Sequence, residues 1–350
     1  MASLKDAIQA LEPKVAGHPA AMMGLAQLMV QEGRTAEALD LCRAALALAP
    51  QDGSIAAGAR ILLNGTVPDW HFKIIRDEAR NAAYDAALHR AVRPGSRVLD
   101  IGTGTGLLAM MAGRAGAAEV IACEINPVVA QTAAEIVRRN GYGDRVRVIA
   151  KHSDQLDAEA DLGGRVDVIV SEILSNNLLG ENILGVHEHA VRQLLKPGGK
   201  VIPARGAARV ALAYADRDDS GDLRSISRFD LSAFAALAPP ARRIRVGDRR
   251  VVLRGDAADL FVFDFACAQH CAPSQASVMC RSAGGKMNGV AQWMRIELDE
   301  AVHYENRPAP GAASCWAALF YPFKEAFDTR PGQEFIIYGS HDRSSLAIWV

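Results

Sequence analysis

Two glutamates nine residues apart, Glu172 and Glu181, stand in the segment Ser171-Glu172-Ile173-Leu174-Ser175-Asn176-Asn177-Leu178-Leu179-Gly180-Glu181, just after a short apolar run. A guanidinium presents five N–H donors in a planar fork and stays protonated, so a pocket for it needs two carboxylates accepting from different edges. Two acids also localise the cation's charge and leave its unbonded terminal nitrogen richer in electron density, an effect of proximity and electrostatics more than of proton abstraction. On spacing alone a bland alternative stands beside this one: one Glu caps a helix and the other is solvated. Upstream, Val98-Leu99-Asp100-Ile101-Gly102-Thr103-Gly104-Thr105-Gly106 reads as a strand, a glycine turn and the start of a helix, an arrangement that lets backbone N–H groups approach a nucleotide-like ligand. The glycines fall as GxGxG rather than the dinucleotide GxGxxG, and no Lys-Ser/Thr follows as in a P-loop, so NAD and ATP are disfavoured. Glu124 ends the next strand, placed to accept from both hydroxyls of a ribose, and Asp154 follows the strand after that, placed to meet an adenine amino group.

Together, GxGxG, the strand-end Glu and the strand-end Asp resemble class I S-adenosylmethionine-dependent methyltransferases. The resemblance implies that Gly102, Gly104 and Gly106 shape the cofactor turn, that Asp100 braces it, and that Glu124 and Asp154 take the ribose and the adenine. DNA and glutamine methyltransferases carry Asn-Pro-Pro-Tyr after the fourth strand; the Ser-Glu…Glu segment here resembles instead the double-E loop of the protein arginine methyltransferase family. Upstream, His71 and Arg76-Asp77-Glu78-Ala79-Arg80-Asn81 are similar to that family's amino-terminal helix, which implies that Arg80 and His71 hold the cofactor's carboxylate; surface charge on an amphipathic helix is their plainer reading. Downstream, Ser314-Cys315-Trp316 resembles the family's Thr-His-Trp loop: the Trp matches, and Cys315 stands where the family has His. That His pairs with the acid matching Asp77, a pair Cys315 cannot reproduce, which bears on the efficiency and degree of methylation.

The resemblance covers roughly residues 70 to 350. It implies methyl transfer from S-adenosylmethionine to a guanidino nitrogen of arginine in a protein substrate, with Glu172 and Glu181 orienting the guanidinium and Trp316 and Asp77 in the substrate pocket. It further implies a homodimer, formed through an arm that segment 229–237 would supply; an interior β segment is the alternative for that stretch. Two rival functions remain: a methyltransferase of this fold with another acceptor, or a catalytically weak binding protein.

These residues need an α/β scaffold. Apolar runs at 98–101, 120–123, 146–149 and 166–170, separated by helical stretches such as 127–139, predict a Rossmann-like parallel sheet. Residues 70–91 carry helical spacing, and 188–195 read as a helix before the Pro-Gly-Gly turn and a strand at 200–203. Short β-type runs after residue 204 predict a mostly antiparallel, barrel-like domain, with 282–286 as a flexible loop. Residues 19–52 have the length and small-residue spacing of one tetratricopeptide repeat, which cannot bury its own face and needs the helices before and after it. The predicted division is therefore 1–64, a helical cap that alternatively offers a groove to a peptide or protein partner; 65–203, the cofactor-binding domain; and 204–350, the substrate and dimerisation domain.

The 350 residues are 50% hydrophobic and 23% charged with a net charge of −1, so nucleic acid or an acidic membrane surface could be collected only by a local patch, and neither is expected as a partner. No leader or membrane-spanning run is visible, which points to the cytoplasm. The six cysteines are too dilute for a disulfide scaffold, and the cluster Cys267, His270, Cys271 and Cys280 lacks paired CxxC units, so no metal is expected. His187 and His189, two apart on a helix, read as surface or packing.

Overall fold

The computed structural model describes residues 4–65, 67–216 and 223–350; the first residues of the predicted cap and Thr66 of the predicted linker lie outside the described residues. The chain opens with α1 (Leu4–Val15), α2 (Pro19–Gln31), α3 (Thr35–Leu48) and α4 (Gly53–Asn64). Local chemistry starts these helices: Pro19 opens α2, where its missing N–H costs nothing, and Asp52 caps α4 by accepting from Ser54 N at 2.8 Å. Ala26, Ala38, Cys42 and Ala45 are fully buried, so α2 and α3 approach closely, and Ile8 of α1 with Ile55 and Ala59 of α4 completes that core. The flanking helices thus cover the faces the central pair leaves open. Toward the next layer the contacts are polar: Gln131 Nε2 donates to Asp40 Oδ1 at 2.6 Å, and Arg43 lies 3.6 Å from Glu135.

Next come α5 (Trp70–Ile74) and α6 (Glu78–Ala91), then a five-stranded sheet: β1 (Arg97–Ile101), β2 (Glu119–Cys123), β3 (Val146–Ile149), β4 (Val166–Ser171) and β5 (Leu195–Ile202). Its order is β3-β2-β1-β4-β5 and every pairing is parallel. Val98, Leu99, Val120, Ile121 and Ile169 are fully buried, as strands covered by crossover helices must be. Those helices are α7 (Leu107–Arg114), α8 (Pro127–Arg139) and α9 (Ile183–Gln193). The chain steps outward from β1 to β3 and returns to lay β4 on the other edge of β1, so a crevice opens at the carboxyl ends of β1 and β4.

The remaining chain forms a wholly antiparallel sheet from β6 (Arg205–Ala215), β7 (Arg242–Ile244), β8 (Val251–Leu253), β9 (Ala258–Asp264), β10 (Ser274–Glu297), β11 (His303–Glu305), β12 (Ala318–His341) and β13 (Leu346–Trp349). Its spine runs β13-β12-β10-β6-β8. One core cluster spans both sheets, with Leu178, Leu179 and Val170 packed alongside Ala208, Phe265 and Met294. No helix among the described residues is long and apolar enough to cross a membrane.

Three expectations need correction. Residues 70–91 are not one helix: the chain breaks between α5 and α6, where Asp77 caps the second. The helix expected at 188–195 begins five residues earlier and ends at Gln193. Residues 282–286 are not a flexible loop but part of β10, where Ser282 is buried and its Oγ lies 2.6 Å from Thr329 Oγ1 of β12. Segment 229–237, read as an arm with an interior segment as the alternative, lies at the surface: it ends in a 3-10 turn whose Phe234 and Leu237 are 68% and 73% exposed.

Candidate functional site

The crevice at the switch point holds a cavity of about 260 Å³, lined by the turn after β1, the ends of β2 and β4, and α5. Gly102, Gly104 and Gly106 have φ of +71°, +55° and +79°. A Cβ on Gly102 would lie 2.6 Å from Ile173 Cγ2, whereas the Cβ position of Gly104 meets nothing within 4 Å; the first glycine lets the β4 loop close on the turn, and the second keeps the backbone bare toward the cavity. Glu124, at the end of β2, accepts from Gly104 N at 3.1 Å and Asn126 N at 2.9 Å, so its carboxylate is fixed at the cavity wall. Asp100 is buried beneath the turn, takes the Thr103 hydroxyl at 2.5 Å and leaves Oδ1 without a partner; burial pushes its carboxyl up to about 7.

From α5, His71 stacks on Trp70 with ring centroids 3.8 Å apart and lines the cavity. Burial lowers its pKa against the opposing pull of Glu124, which keeps the imidazole neutral near pH 7. Arg80, on the first turns of α6, is 3% exposed. Its Nη2 donates to Glu172 Oε2 at 2.9 Å and its guanidinium lies over the Tyr84 ring, whose hydroxyl in turn holds Ser171 O at 3.0 Å. Two atoms of this pair are buried without partners, Arg80 Nε and Glu172 Oε1. An orphaned buried polar atom costs about 1–3 kcal/mol, so a ligand donor at Glu172 Oε1 would be met by an acceptor already desolvated. Burial pushes the Glu172 carboxyl up to about 7 against the opposing charge of Arg80, with Glu181 adding in the same direction. Glu181, at the cavity rim, is also raised, by burial first and then by Glu124.

The loop between the two glutamates is held from several sides. Asn177 Oδ1 accepts from Leu179 N and Gly180 N at 3.1 and 2.9 Å, and Leu178 adopts a left-handed φ of +74° while fully buried. From the antiparallel domain, Trp316 Nε1 donates to Leu174 O at 3.2 Å and Ala317 N donates to Asn176 Oδ1 at 2.8 Å. Trp316 therefore braces the back of the loop rather than lining the cofactor cavity.

Asp77 is where the Cys315 departure is absorbed. Its Oδ1 caps α6 at Arg80 N, and its Oδ2 accepts from both the Tyr304 hydroxyl and Cys315 N at 2.8 Å. Burial works against ionisation, but these donors outweigh it and hold the carboxyl below its usual range. Burial, then Asp77 and Glu172, push the Cys315 thiol well up, so it stays protonated. Tyr304, whose hydroxyl oxygen accepts from Ser314 Oγ at 2.8 Å while its proton goes to Asp77, is a functional candidate that sequence reasoning missed, because it lies 227 residues from its partner with no local signal.

Asp154 is not brought into the cavity: its carboxylate is largely exposed and lies 2.6 Å from His152 Nδ1. His187, expected as surface or packing, is fully buried between the domains, its Nε2 2.7 Å from Ser171 Oγ and its Nδ1 3.2 Å from Phe265 O; burial drives its pKa down to about 4, so it is neutral. In the cysteine cluster, Cys271 N donates to Glu188, which also pairs with Arg343 at 2.9 Å, while Cys280 is buried in β10.

A parallel sheet of this order with a glycine turn, a strand-end carboxylate and a buried Arg–Glu pair at its switch point defines a class I methyltransferase, whose cofactor is S-adenosylmethionine. A family model described as ribosomal protein L11 methyltransferase (PrmA) matches residues 86–204. The chain is 33% identical over 321 residues to an arginine N(omega)-methyltransferase of Streptomyces achromogenes subsp. streptozoticus, covering 90% of this chain and 86% of that one. It is 46% identical over 151 residues to protein arginine N-methyltransferase 7 of Drosophila grimshawi, covering 40% of this chain but only 21% of that longer protein. Among solved structures, the Trypanosoma brucei PRMT1 enzyme-prozyme heterotetrameric complex with AdoHcy superposes with a TM-score of 0.68 at 22% identity, covering 79% of this chain and 90% of that one. The chain belongs to the protein arginine methyltransferase family.

Proposed function

We propose that this protein transfers a methyl group from S-adenosylmethionine to a terminal guanidino nitrogen of arginine in a protein substrate. The observation that carries the reading is the buried Glu172 carboxylate, one oxygen engaged by Arg80 and the other desolvated and unpaired, with Glu181 lining the same cavity. When bound, the cofactor supplies an electrophilic sulfonium methyl group. Gly102 and Gly106 shape the turn that would hold it and Gly104 offers bare backbone toward it, Glu124 takes the ribose hydroxyls, and Asp100 braces the turn. His71 and Arg80 hold the carboxylate end; Arg80 Nε is the donor still free for it. Glu172 and Glu181 accept N–H bonds from two edges of the guanidinium and leave one terminal nitrogen unbonded for in-line attack. As that nitrogen's bond to the methyl carbon formed, the carbon–sulfur bond would break with its electron pair left on sulfur as a neutral thioether, and the nitrogen would lose one proton to water. Asp77, held by Tyr304, fixes the start of α6 and so the Arg80–Glu172 pair. Asp154 would reach an adenine only by leaving His152.

A second reading takes free arginine as the acceptor. One observation favours it: a relative matched over 86% of its own length is named an arginine N(omega)-methyltransferase, whereas the listed protein arginine N-methyltransferase 7 relatives are covered over only 20–46% of their length. Incubation with methyl-labelled S-adenosylmethionine and either arginine peptides or free arginine, followed by acid hydrolysis, tests both. Labelled methylarginine from peptides supports the first reading, label in free arginine alone supports the second, and label in neither contradicts both.

The arm at 229–237 supports a homodimer, since Phe229, Phe234 and Leu237 are all more than two-thirds exposed. The helices of residues 4–64 are read as one tetratricopeptide-like repeat with its flanking helices, serving as a cap whose free surface could receive a peptide or protein partner.

A further inference from the structure

Along β7 a groove of about 1120 Å³ runs up to Cys315 and Trp316, the segment that braces the double-glutamate loop. Its wall is strongly basic. Arg243, Arg245 and Arg249 are exposed, alternate with or follow buried Ile244 and Val246, and their guanidinium groups have no hydrogen-bond or ion-pair partner among the described residues. Exposed Lys73 of α5 closes the near end, where it also lines a second opening shared with Ser314 and Cys315. Of the lining residues, Asp248 alone is a carboxylate, and it is engaged by Arg250 at 2.9 Å. In a chain with a net charge of −1, this is a local positive patch rather than a share of a general field.

A positive groove repels the Arg- and Lys-rich sequences around which an arginine acceptor would ordinarily be imagined. Resting on the arginine methyltransferase reading above, we propose that the β7 groove binds an acidic stretch of the protein substrate next to the target arginine. The guanidinium enters toward Glu172, while flanking Asp or Glu side chains meet Arg243, Arg245 and Arg249, whose planar forks suit carboxylates. A neutral or basic flank leaves these cations unpaired or opposed, so the groove selects among arginines by their surroundings, and the glutamates supply the chemistry.

The test uses the full chain and three peptides, each with one arginine flanked by acidic, neutral or lysine residues, compared in the wild type and in the double variant Arg243→Glu/Arg245→Glu. Steady-state methyl transfer should give the acidic peptide a KM about tenfold below the neutral one at similar kcat, an advantage that shrinks as salt shortens the Debye length from about 30 Å to about 8 Å. Charge reversal should erase the advantage and leave the neutral peptide's constants unchanged, while Arg243→Lys/Arg245→Lys should retain most of it. Equal KM values in the wild type, a preference for lysine flanks, or a preference that survives reversal would overturn the proposal. Fluorescence anisotropy with the labelled acidic peptide separates this from the parent reading: binding that reversal abolishes supports the groove even if no peptide is methylated, and absence of binding sinks it. If a mixed-sequence single-stranded oligonucleotide binds the wild type and the acidic peptide does not, the groove belongs to nucleic acid and the proposal is wrong.

Discussion

Glu172 carries opposing demands. Burial favours its protonated form up to about pH 7, yet a guanidinium needs the carboxylate. The acid limb of kcat/KM for the acceptor should therefore rise with pH through a midpoint near 7, well above the ordinary glutamate range, because the free enzyme must lose that proton before the cation is bound. A profile flat down to pH 5 would contradict this assignment. Tyr304 offers a second check. Tyr304→Phe removes one of three donors to Asp77 and should cost about 1.5–3 kcal/mol of stability, the range for hydrogen bonds to charged groups. It should lower kcat several-fold, since the start of α6 positions Arg80. A thermal melt and a turnover assay read the two effects, and an unchanged kcat would leave Tyr304 a purely structural residue. The glycine turn is tested by Gly102→Ala, which forces a Cβ into Ile173 at positive φ; we expect a loss of about 1–3 kcal/mol and weakened cofactor binding by calorimetry.

At the scale of elements, local signals were legible where they were self-contained. Segment 127–139 was readable as a helix, with Asn126 accepting from Val128 N and Val129 N and Pro127 opening it. The four apolar runs of the parallel sheet were legible because strands covered on both faces carry little besides apolar residues. What escaped depends on distant partners. The break before α6 is set by Asp77, whose other donors come from Tyr304 and Cys315 in the antiparallel domain. Residues 282–286 read as a loop because Ser282-Ala283-Gly284-Gly285-Lys286 is small and glycine-rich; both glycines do adopt positive φ, but β12 pairs alongside and absorbs the irregularity as a bulge. The glycine turn was legible from spacing, whereas spacing alone left the two glutamates beside a capping alternative and only the family resemblance paired them; Tyr304 and the Arg80–Glu172 pairing were not legible, since they exist only once separate elements meet. The arm makes its own prediction. Phe234→Asp/Leu237→Asp should convert a dimer to a monomer by light scattering with circular dichroism unchanged, and a dimer that persists would place the contact elsewhere.

At the scale of the molecule, the helices of residues 4–64 have their own core, whereas the two sheets share one. The cap meets the rest through polar pairs such as Gln131–Asp40, so it should melt as a separate transition that the cofactor leaves in place. Saturating cofactor at about 100 times its Kd should stabilise the main transition by about 2.7 kcal/mol. Scanning calorimetry with equal shifts of both transitions would show the cap coupled to the site. The central claim is that the desolvated Glu172, with Glu181 at the cavity rim, orients a guanidinium beside the cofactor. Glu172→Gln tests it most directly, because the amide oxygen can still accept from Arg80 Nη2 while the formal charge facing the acceptor is gone. Measured by isothermal titration and by release of labelled methylarginine, this variant should hold S-adenosylmethionine within a few-fold of wild type and lose nearly all turnover; normal turnover on arginine acceptors would contradict the account.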